Sequence, residues 1–199
     1  NRVMKTINDA AVLNTVNLCA LTLLNSDNHA LPRAEMQQLI EFYIGMQRAV
    51  PYSGNVKTPD MTGNEIIEEA VMLEKVESEN DEYGTIIRLN DKNAILMSYY
   101  RNNVVHLFAI PSLVAGVLVS QPKCSKKAIF DIVNSIVPLL KNEMFLTVAD
   151  VEQYVNDILV WFDKEGLIKL NPVNVQTVAR DDEGFAKLNF LSRIMKDTL

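Results

Sequence analysis

Glycine and proline are both scarce in this chain, with seven of each among 199 residues. This shortage excludes collagen-like repeats and also linker-type or disordered compositions, which are much richer in one or both residues. Apolar residues make up 48% of the chain, which is enough to build a sizeable core in one ordinary domain or two small ones. The composition is therefore that of a folded globular protein.

Cysteine and histidine are scarcer still, with two of each. Cys19 and Cys124 form no C-x-x-C pair and have no histidine or acidic neighbour at metal-ligand spacing, so we expect two reduced thiols. Acidic residues crowd at 65–82 and 181–183, but their spacing does not reproduce a calcium-binding loop. We predict no metal and no other cofactor.

Positive charge is also in short supply. The 19 Lys and Arg residues face 25 Asp and Glu residues, which gives a net charge of −6 and a pI near 5.0. Nucleic acids bind proteins through clustered Lys and Arg that release counterions, and the nearest basic tract here, residues 123–127, has only three lysines. That tract at most suits an anionic surface. We therefore expect no nucleic-acid partner.

The chain starts at Asn1, and no charged segment followed by an apolar stretch is visible there, so no signal peptide is predicted. We expect a piece of a longer protein.

Residues 104–119 form one long apolar run, whose only polar side chains are His106 and Ser112. As a helix, this run rises about 24 Å, less than the roughly 30 Å of bilayer hydrocarbon. Pro111 should bend the helix or mark its first turn. A helix buried by its neighbours is favoured, and membrane insertion is the alternative.

Two octets, residues 86–93 and 167–174, match or substitute conservatively at six of eight positions. Each octet is typical of a strand that runs into a polar turn. A short apolar run follows each octet, at 94–97 and 175–178. Two β-hairpins are therefore predicted.

A helix is predicted before each hairpin. Residues 62–65 fit a capping box that ends in glutamate. Residues 147–150 fit the same pattern with the shorter side chain of aspartate in the last position. After the second cap, apolar residues recur on one helical face, and Gly166 stands where a helix C-terminus favours a left-handed residue. That face consists of Val151, Val155, Ile158, Leu159 and Phe162.

Two further helices are predicted earlier in each half of the sequence. Residues 10–24 correspond to 103–119, and residues 31–48 correspond to 125–141. The order of three helices and a hairpin thus occurs twice, and a final helix over 183–198 turns inward through Phe185, Leu188, Leu191 and Met195. The loop at 50–60 carries turn residues.

We predict a mainly α fold with short β-hairpins. Two tandem winged-helix-like units plus a C-terminal helix are one version of it, and a plain helical domain with hairpins is the other. The expected units are 1–101 and 102–199, which either stay separate or pack as one domain.

A dense polar and aromatic segment, residues 99–103, comes directly before the apolar run and is called the 99–103 box below. The candidate interface or anion-binding residues are Tyr99, Tyr100, Arg101, Asn102, Asn103 and His106. In the structural explanation, Asn102 or Asn103 caps the next helix and the tyrosines pack with their hydroxyls at the surface. In the functional one, Arg101 holds a phosphate or carboxylate of a ligand or another domain at that helix N-terminus.

Six blocks carry a family resemblance: NLCAL at 17–21, VPYS at 50–53, GTIIRL at 84–89, AILMSYYRNN at 94–103, LLKNEMFL at 139–146 and EGLI at 165–168. In this order they resemble the region downstream of the catalytic domain in the bacterial membrane-bound glycerol-3-phosphate 1-O-acyltransferases. The tyrosine-rich block is the most specific, and the resemblance covers nearly the whole chain.

The resemblance implies a parent protein that acylates position 1 of glycerol 3-phosphate, with an acyl carrier protein or coenzyme A thioester as donor. This is the first step of phospholipid synthesis, on the cytoplasmic face of the bacterial inner membrane. The family's catalytic histidine, with an aspartate five residues later, and its phosphate-binding arginines belong to the upstream domain.

Neither histidine of this chain fits that motif, since Ala34 stands five residues after His29 and Pro111 five after His106. We predict no catalytic residue. His29 is expected in a solvated loop and His106 in the core. The chain is expected to be a soluble, non-catalytic region that packs on the catalytic domain through the 99–103 box, within a membrane-associated parent.

A freestanding adaptor is the alternative function. It would be a tandem winged-helix protein that binds other proteins through acidic faces. The helices before both hairpins, at 65–74 and 150–165, are acidic, which disfavours DNA as the partner.

Overall fold

The computed structural model describes residues 2–82, 84–89, 91–171 and 177–196. The helices in this part of the chain are α1 Arg2–Asp9, α2 Thr15–Leu24, α3 Arg33–Ala49, α4 Gly63–Met72, α5 Asp91–Asn102, α6 Ala109–Ser120, α7 Lys126–Glu143, α8 Val151–Lys164 and α9 Phe185–Arg193. The strands are β1 Ala30–Pro32, β2 Glu77–Asp81, β3 Gly84–Arg88, β4 Lys123–Ser125, β5 Ile168–Leu170 and β6 Thr177–Arg180. The predicted fold class, mainly α with short hairpins, is confirmed.

Contacts between residues divide the chain into two compact units. The middle unit is Ala10–Val105, and the split unit joins Asn1–Asp9 to His106–Leu199. Compactness does not establish an independently folding domain, so the expected units 1–101 and 102–199 stay a prediction. The sequence does not indicate that α1 groups with the residues after 105.

In the middle unit, α2, α3 and α4 surround a buried apolar core. Asn14 caps α2, because its side chain accepts from the backbone of Val16 and Asn17 at 3.0 Å each. The helix behind this cap is almost wholly buried. The sheet has the antiparallel order β1-β3-β2, in which Ile87 lies opposite both Leu31 and Ser78.

In the split unit, the buried helix α6 packs on α7, α8 and α9. The sheet has the antiparallel order β4-β6-β5. Val178 lies opposite both Cys124 and Leu170 in this sheet. The final helix is shorter than predicted, and it buries Leu188 and Leu191 while Phe185 is exposed.

The two units share one element order within the described residues. Each has a helix, a strand, two helices and a hairpin, and the strand after the first helix pairs with the last strand of the hairpin. The predicted order of three helices and a hairpin is thus present twice. The strands β1 and β4 are too short, at three residues each, to leave a sequence pattern.

The octet alignment that suggested the duplication paired strands that are not equivalent. Ile86 and Ile87 lie in β3, the central strand of its sheet, whereas Ile168 lies in β5, an edge strand. The predicted second strand at 94–97 is also wrong, because these residues are helical in α5. The first hairpin is instead β2–β3. Some residues of these segments lie outside the described residues. They are residue 90 of the first octet, 172–174 of the second octet and 175–176 of the second apolar run.

One predicted helix cap is confirmed and one is wrong. Thr62 and Glu65 form the expected capping box of α4, and Gly166 has the left-handed φ of +71° expected after α8. The cap of α8, however, is Asp150, whose carboxylate accepts from the Gln153 backbone at 2.9 Å. The Thr147 hydroxyl donates to the Asp9 carboxylate instead.

The apolar run at 104–119 is a buried helix, as favoured, but it is divided. A short 3-10 turn, Val105–Phe108, precedes α6, and Pro111 falls in the first turn of α6. Proline needs no backbone N–H partner in a first turn, so the helix accommodates it there. Within the described residues no single helix is long and apolar enough to cross a bilayer, and only Lys92–Asn102 with Val105–Ser120, taken together as a bent pair, meets that test.

Candidate functional site

The 99–103 box lies at the end of α5 and in the chain that follows it, within the middle unit. Tyr99 is exposed and Tyr100 is half-buried, and their rings meet edge to face with centroids 5.9 Å apart. The side chains of Asn102 and Asn103 are exposed. The box therefore presents polar and aromatic groups to its surroundings rather than filling the core.

Neither asparagine of the box caps the next helix, which corrects the structural explanation given above. Asn102 is the last residue of α5, and α6 begins only at Ala109, after Phe108 in the N-cap position without a side-chain hydrogen bond. Arg101 thus lies in the last turn of α5, where a cation is favoured by the helix dipole. The helix N-terminus assumed for an anion site at Arg101 is not formed at this point of the chain.

Arg101 still has donor capacity to spare. Its Nε is buried and has no hydrogen-bond partner within the described part of the chain. Its Nη2 lies 3.5 Å from the Asn102 side-chain oxygen, which is a long and weak contact. The outer nitrogens of this guanidinium are suited to an external carboxylate or phosphate. The role of the box in binding an anion stays a prediction.

An apolar surface that shares Tyr99 with the box is not evident from the sequence. On α5, Ile95 is 87% exposed, Leu96 39% and Tyr99 64%, and these three side chains are called the α5 face below. Met97 points the other way and is fully buried, where α5 packs on α2. The i to i+4 spacing of Ile95 and Tyr99 is a helical signal, and the interpretation of residues 94–97 as a strand does not take account of it.

His106, the last of the predicted site residues, belongs to the split unit and is buried. Its Nε2 lies 3.1 Å from the Asn8 carbonyl oxygen, so this nitrogen carries the proton and donates it. Burial lowers the pKa of the imidazole, although the Asn8 hydrogen bond and the Asp9 carboxylate act in the opposite direction. His106 is thus a buried, hydrogen-bonded core histidine, as the sequence predicts. His29 is exposed, also as expected.

The two cysteines are free thiols in surroundings that keep them protonated. Burial raises the pKa of Cys19 to about 12, and the Glu69 carboxylate adds to this effect. Burial also raises the pKa of Cys124. Neither is therefore activated as a nucleophile. Within the described residues, no three His, Cys, Asp or Glu side chains are grouped so that they could hold a metal ion.

Comparison with known proteins gives a match along the whole chain. Residues 1–199 match the family model described as the glycerol-3-phosphate acyltransferase C-terminal region. A glycerol-3-phosphate acyltransferase of Shewanella amazonensis is 40% identical over 168 residues, which are 84% of this chain and 21% of that protein. A protein of the same name from Pseudoalteromonas translucida is 37% identical over 199 residues, 100% of this chain and 24% of the relative. The chain thus spans about a fifth to a quarter of the curated relatives that it matches.

Proposed function

This chain belongs to the family of glycerol-3-phosphate acyltransferase C-terminal regions, and we propose on that basis that it is the accessory region of such an enzyme. The parent enzyme transfers an acyl group from an acyl carrier protein or coenzyme A thioester to position 1 of glycerol 3-phosphate. It does so at the cytoplasmic face of the bacterial inner membrane, as the first step of phospholipid synthesis. The names of the relatives support the reaction, and the sequence resemblance supports the donor and the location.

The region itself contributes no catalytic group in this proposal. Two observations support this role. His106 is buried and donates a hydrogen bond to the Asn8 carbonyl oxygen. The pKa values of the Cys19 and Cys124 thiols are raised, which keeps both thiols protonated. Catalysis then belongs to the remaining, larger part of the parent protein. The region matched here makes up only 21% and 24% of the length of the two relatives.

The observation that carries the proposal is the α5 face. A helix that exposes Ile95, Leu96 and Tyr99 side by side leaves apolar area in contact with water, and burying one such side chain fully stabilises a protein by about 1.5–3 kcal/mol. A contiguous exposed apolar surface is suited to an interface with another domain. The α5 face packs on the catalytic region of the same polypeptide, beside the 99–103 box.

Arg101 supplies a second, polar contact at the end of α5. It stands four residues after the buried Met97, so it lies on the side of the helix away from the α5 face. Its Nη2 makes a long 3.5 Å contact with the Asn102 side chain. A carboxylate or phosphate of the catalytic region that reaches the outer guanidinium nitrogens forms a charge-assisted hydrogen bond there.

The test uses the full-length parent enzyme in membranes. We expect Ile95→Asp and Arg101→Ala to lower acyltransferase activity at least severalfold and to speed proteolytic release of the C-terminal region, because each removes one part of the interface. Tyr100→Ala is expected to act in the same direction. Met72→Asp is the matched control, since Met72 is 82% exposed at the end of α4 and lies outside the α5 face.

Unchanged stability, activity and membrane retention in Ile95→Asp, Tyr100→Ala and Arg101→Ala would overturn the packing role. An equal loss in Met72→Asp would also count against it, because the effect would then come from any surface charge and not from the α5 face.

The two units are winged-helix-like in this proposal. The support is the element order that both share, together with the sheet orders β1-β3-β2 and β4-β6-β5, in which the early strand pairs with the last one. The freestanding adaptor draws on the same architecture, but the family match over residues 1–199 favours the enzyme region. An experimental structure in which the two units fail to superpose over these elements would remove the winged-helix assignment.

A further inference from the structure

A groove in the split unit is not used by the proposed function. It lies between α6, α7 and α9 and has a volume of about 560 Å³. Pockets that hold small organic ligands typically measure about 300–1,000 Å³, so the size is that of a ligand site. We call this space the α6–α9 groove.

The walls of the α6–α9 groove are mainly apolar. Leu113 and Val117 line it from α6, Ile132 and Ile136 from α7, and Met195 from the segment after α9. Both isoleucines are half-buried, which means that the groove leaves part of their apolar surface uncovered. An apolar ligand would complete their burial, which favours binding by the hydrophobic effect.

Gly116 of α6 lies along the groove and leaves room beside it. Among the described residues, a Cβ added to Gly116 would meet only the Cβ of Ser192 on α9, at 4.0 Å, which is an ordinary van der Waals contact. The crossing of α6 and α9 is also tied by hydrogen bonds. The Ser112 hydroxyl donates to the Ser192 carbonyl at 3.1 Å and accepts from the Met195 backbone at 3.3 Å. These bonds hold the walls in position.

The charged side chains that line the groove, within the described part of the chain, are both cations. Arg193 lies over the Phe190 ring at 5.7 Å, and Lys196 is exposed beside it. This pair stands out in a chain of net charge −6. The groove therefore combines an apolar interior with a positive end, and its complement is a molecule with an apolar body and an anionic end.

Size decides which kind of molecule fits. One turn of α-helix, 5.4 Å long and 10–12 Å wide, occupies about 400–600 Å³, so a docked helix would fill the groove with a single turn. A slender alkyl chain places many methylenes in the same volume, and each buried methylene contributes separately to affinity. We propose that the α6–α9 groove binds a single-chain anionic amphiphile from solution, with its alkyl chain along Gly116 and Ile136 and its anionic head at Arg193 and Lys196.

This site is independent of the packing role proposed above. All of its residues belong to the split unit, whereas the α5 face and the 99–103 box belong to the middle unit. Ligand binding is measured on the 199-residue chain alone. Failure of the groove proposal therefore leaves the enzyme-region proposal intact, and the reverse also holds.

The test is a calorimetric titration with alkyl phosphates below their micelle-forming concentration. We expect saturable one-to-one binding of dodecyl phosphate and about fifteenfold weaker binding of decyl phosphate, because the two chains differ by two methylenes and each buried methylene raises affinity roughly fourfold. Methyl resonances of Ile132, Ile136 and Met195 are expected to shift on binding. Lys196→Glu should weaken binding severalfold and reduce its dependence on salt.

Two variants block the groove and two serve as controls. Gly116→Phe places a ring in the empty space and should weaken dodecyl phosphate binding at least tenfold, whereas Gly116→Ala should retain it. Ile136→Asp should act like the phenylalanine variant, and Leu139→Asp should not, because Leu139 is on the same helix, is already 51% exposed and does not line the groove. Circular dichroism establishes which variants are folded.

Three results would overturn the proposal. One is the absence of saturable binding up to the micelle-forming concentration. Another is equal affinity in the folded Gly116→Phe and Ile136→Asp variants. The third is binding of anionic phospholipid vesicles, or of an acidic amphipathic peptide, without binding of the monomeric alkyl phosphate, since either would identify a different occupant.

Discussion

His106 shows how one buried residue couples stability to pH. Its pKa is lowered from the ordinary value of 6.5, mainly by burial. The folded protein therefore binds a proton at this position less readily than the unfolded chain does. Stability from the neutral imidazole is fully present above the unfolded pKa and is lost as pH falls below it.

We expect the free energy of unfolding to decrease between pH 7.5 and 5.5, and His106→Gln to lose part of this decrease because glutamine does not titrate. Urea unfolding at several pH values measures the slope. A slope in His106→Gln equal to that of the unmodified chain would contradict the assignment to His106.

Two glycines are expected to respond oppositely to alanine. At Gly184 an added Cβ would lie 2.4 Å from the Cα of Leu167, and backbone yields little, so Gly184→Ala should destabilise by about 1–3 kcal/mol. At Gly116 the nearest contact is 4.0 Å away, and alanine favours the helix, so Gly116→Ala should stabilise by about 0.5–1 kcal/mol. Thermal unfolding compares the two. Destabilisation by both would show that the α6–α9 crossing is tighter than described.

At the scale of elements, the helix starts carry measurable stability. In the capping box of α4, the Thr62 backbone donates to Glu65 at 2.8 Å, which is the main cause of the lowered pKa of that carboxyl. Thr62→Ala should cost about 1 kcal/mol and Thr62→Ser much less, since serine keeps the accepting oxygen. Chemical denaturation measures both. A serine variant as unstable as the alanine one would point to the threonine methyl group and away from the cap.

The helix α5 shows where sequence patterns fail at this scale. Residues 94–97 are a short apolar run, and four such residues do not distinguish a strand from part of a helix. They follow residues 86–89, which match 167–170, and this position after a predicted strand favours a second strand of a hairpin. In the structure, Met97 is buried against α2 while Ile95 and Leu96 are exposed, so the apolar residues serve two different surfaces. When apolar residues lie on both the core side and the exposed side of a helix, they do not recur with the single 3.6-residue period by which a helix is recognised.

At the scale of the whole molecule, the two compact units predict separable local stability. Ile66 in α4 and Leu159 in α8 are both fully buried, each in its own unit. Ile66→Ala should cost about 2–5 kcal/mol and speed amide hydrogen exchange in α2, α3 and α4, with little change in α6 and α8. Leu159→Ala should give the reverse pattern. A uniform increase across both units, in either variant, would indicate one cooperative unit.

The duplication also belongs to this scale. The sequence indicates it through the correspondence of three helices and a hairpin in each half. The helices and one hairpin in each unit are present in the described residues, although the first hairpin is β2–β3 and does not include 94–97. The octets that first suggested it occupy a central strand in one unit and an edge strand in the other. Similar apolar-to-polar transitions arise wherever a short strand meets a turn, so local likeness does not establish equivalent position.

The sequence by itself determined the mainly α fold, the buried helix at 104–119, the α4 cap, the core position of His106 and the family resemblance. These follow from local periodicity, from capping side chains and from blocks that survive in order along the chain. The tertiary structure alone decided the pairing of β1 with β3 and of β4 with β6, the grouping of α1 with the split unit, the α5 face and the α6–α9 groove. Each of these depends on contacts or uncovered surface between residues distant in sequence, which no local pattern records.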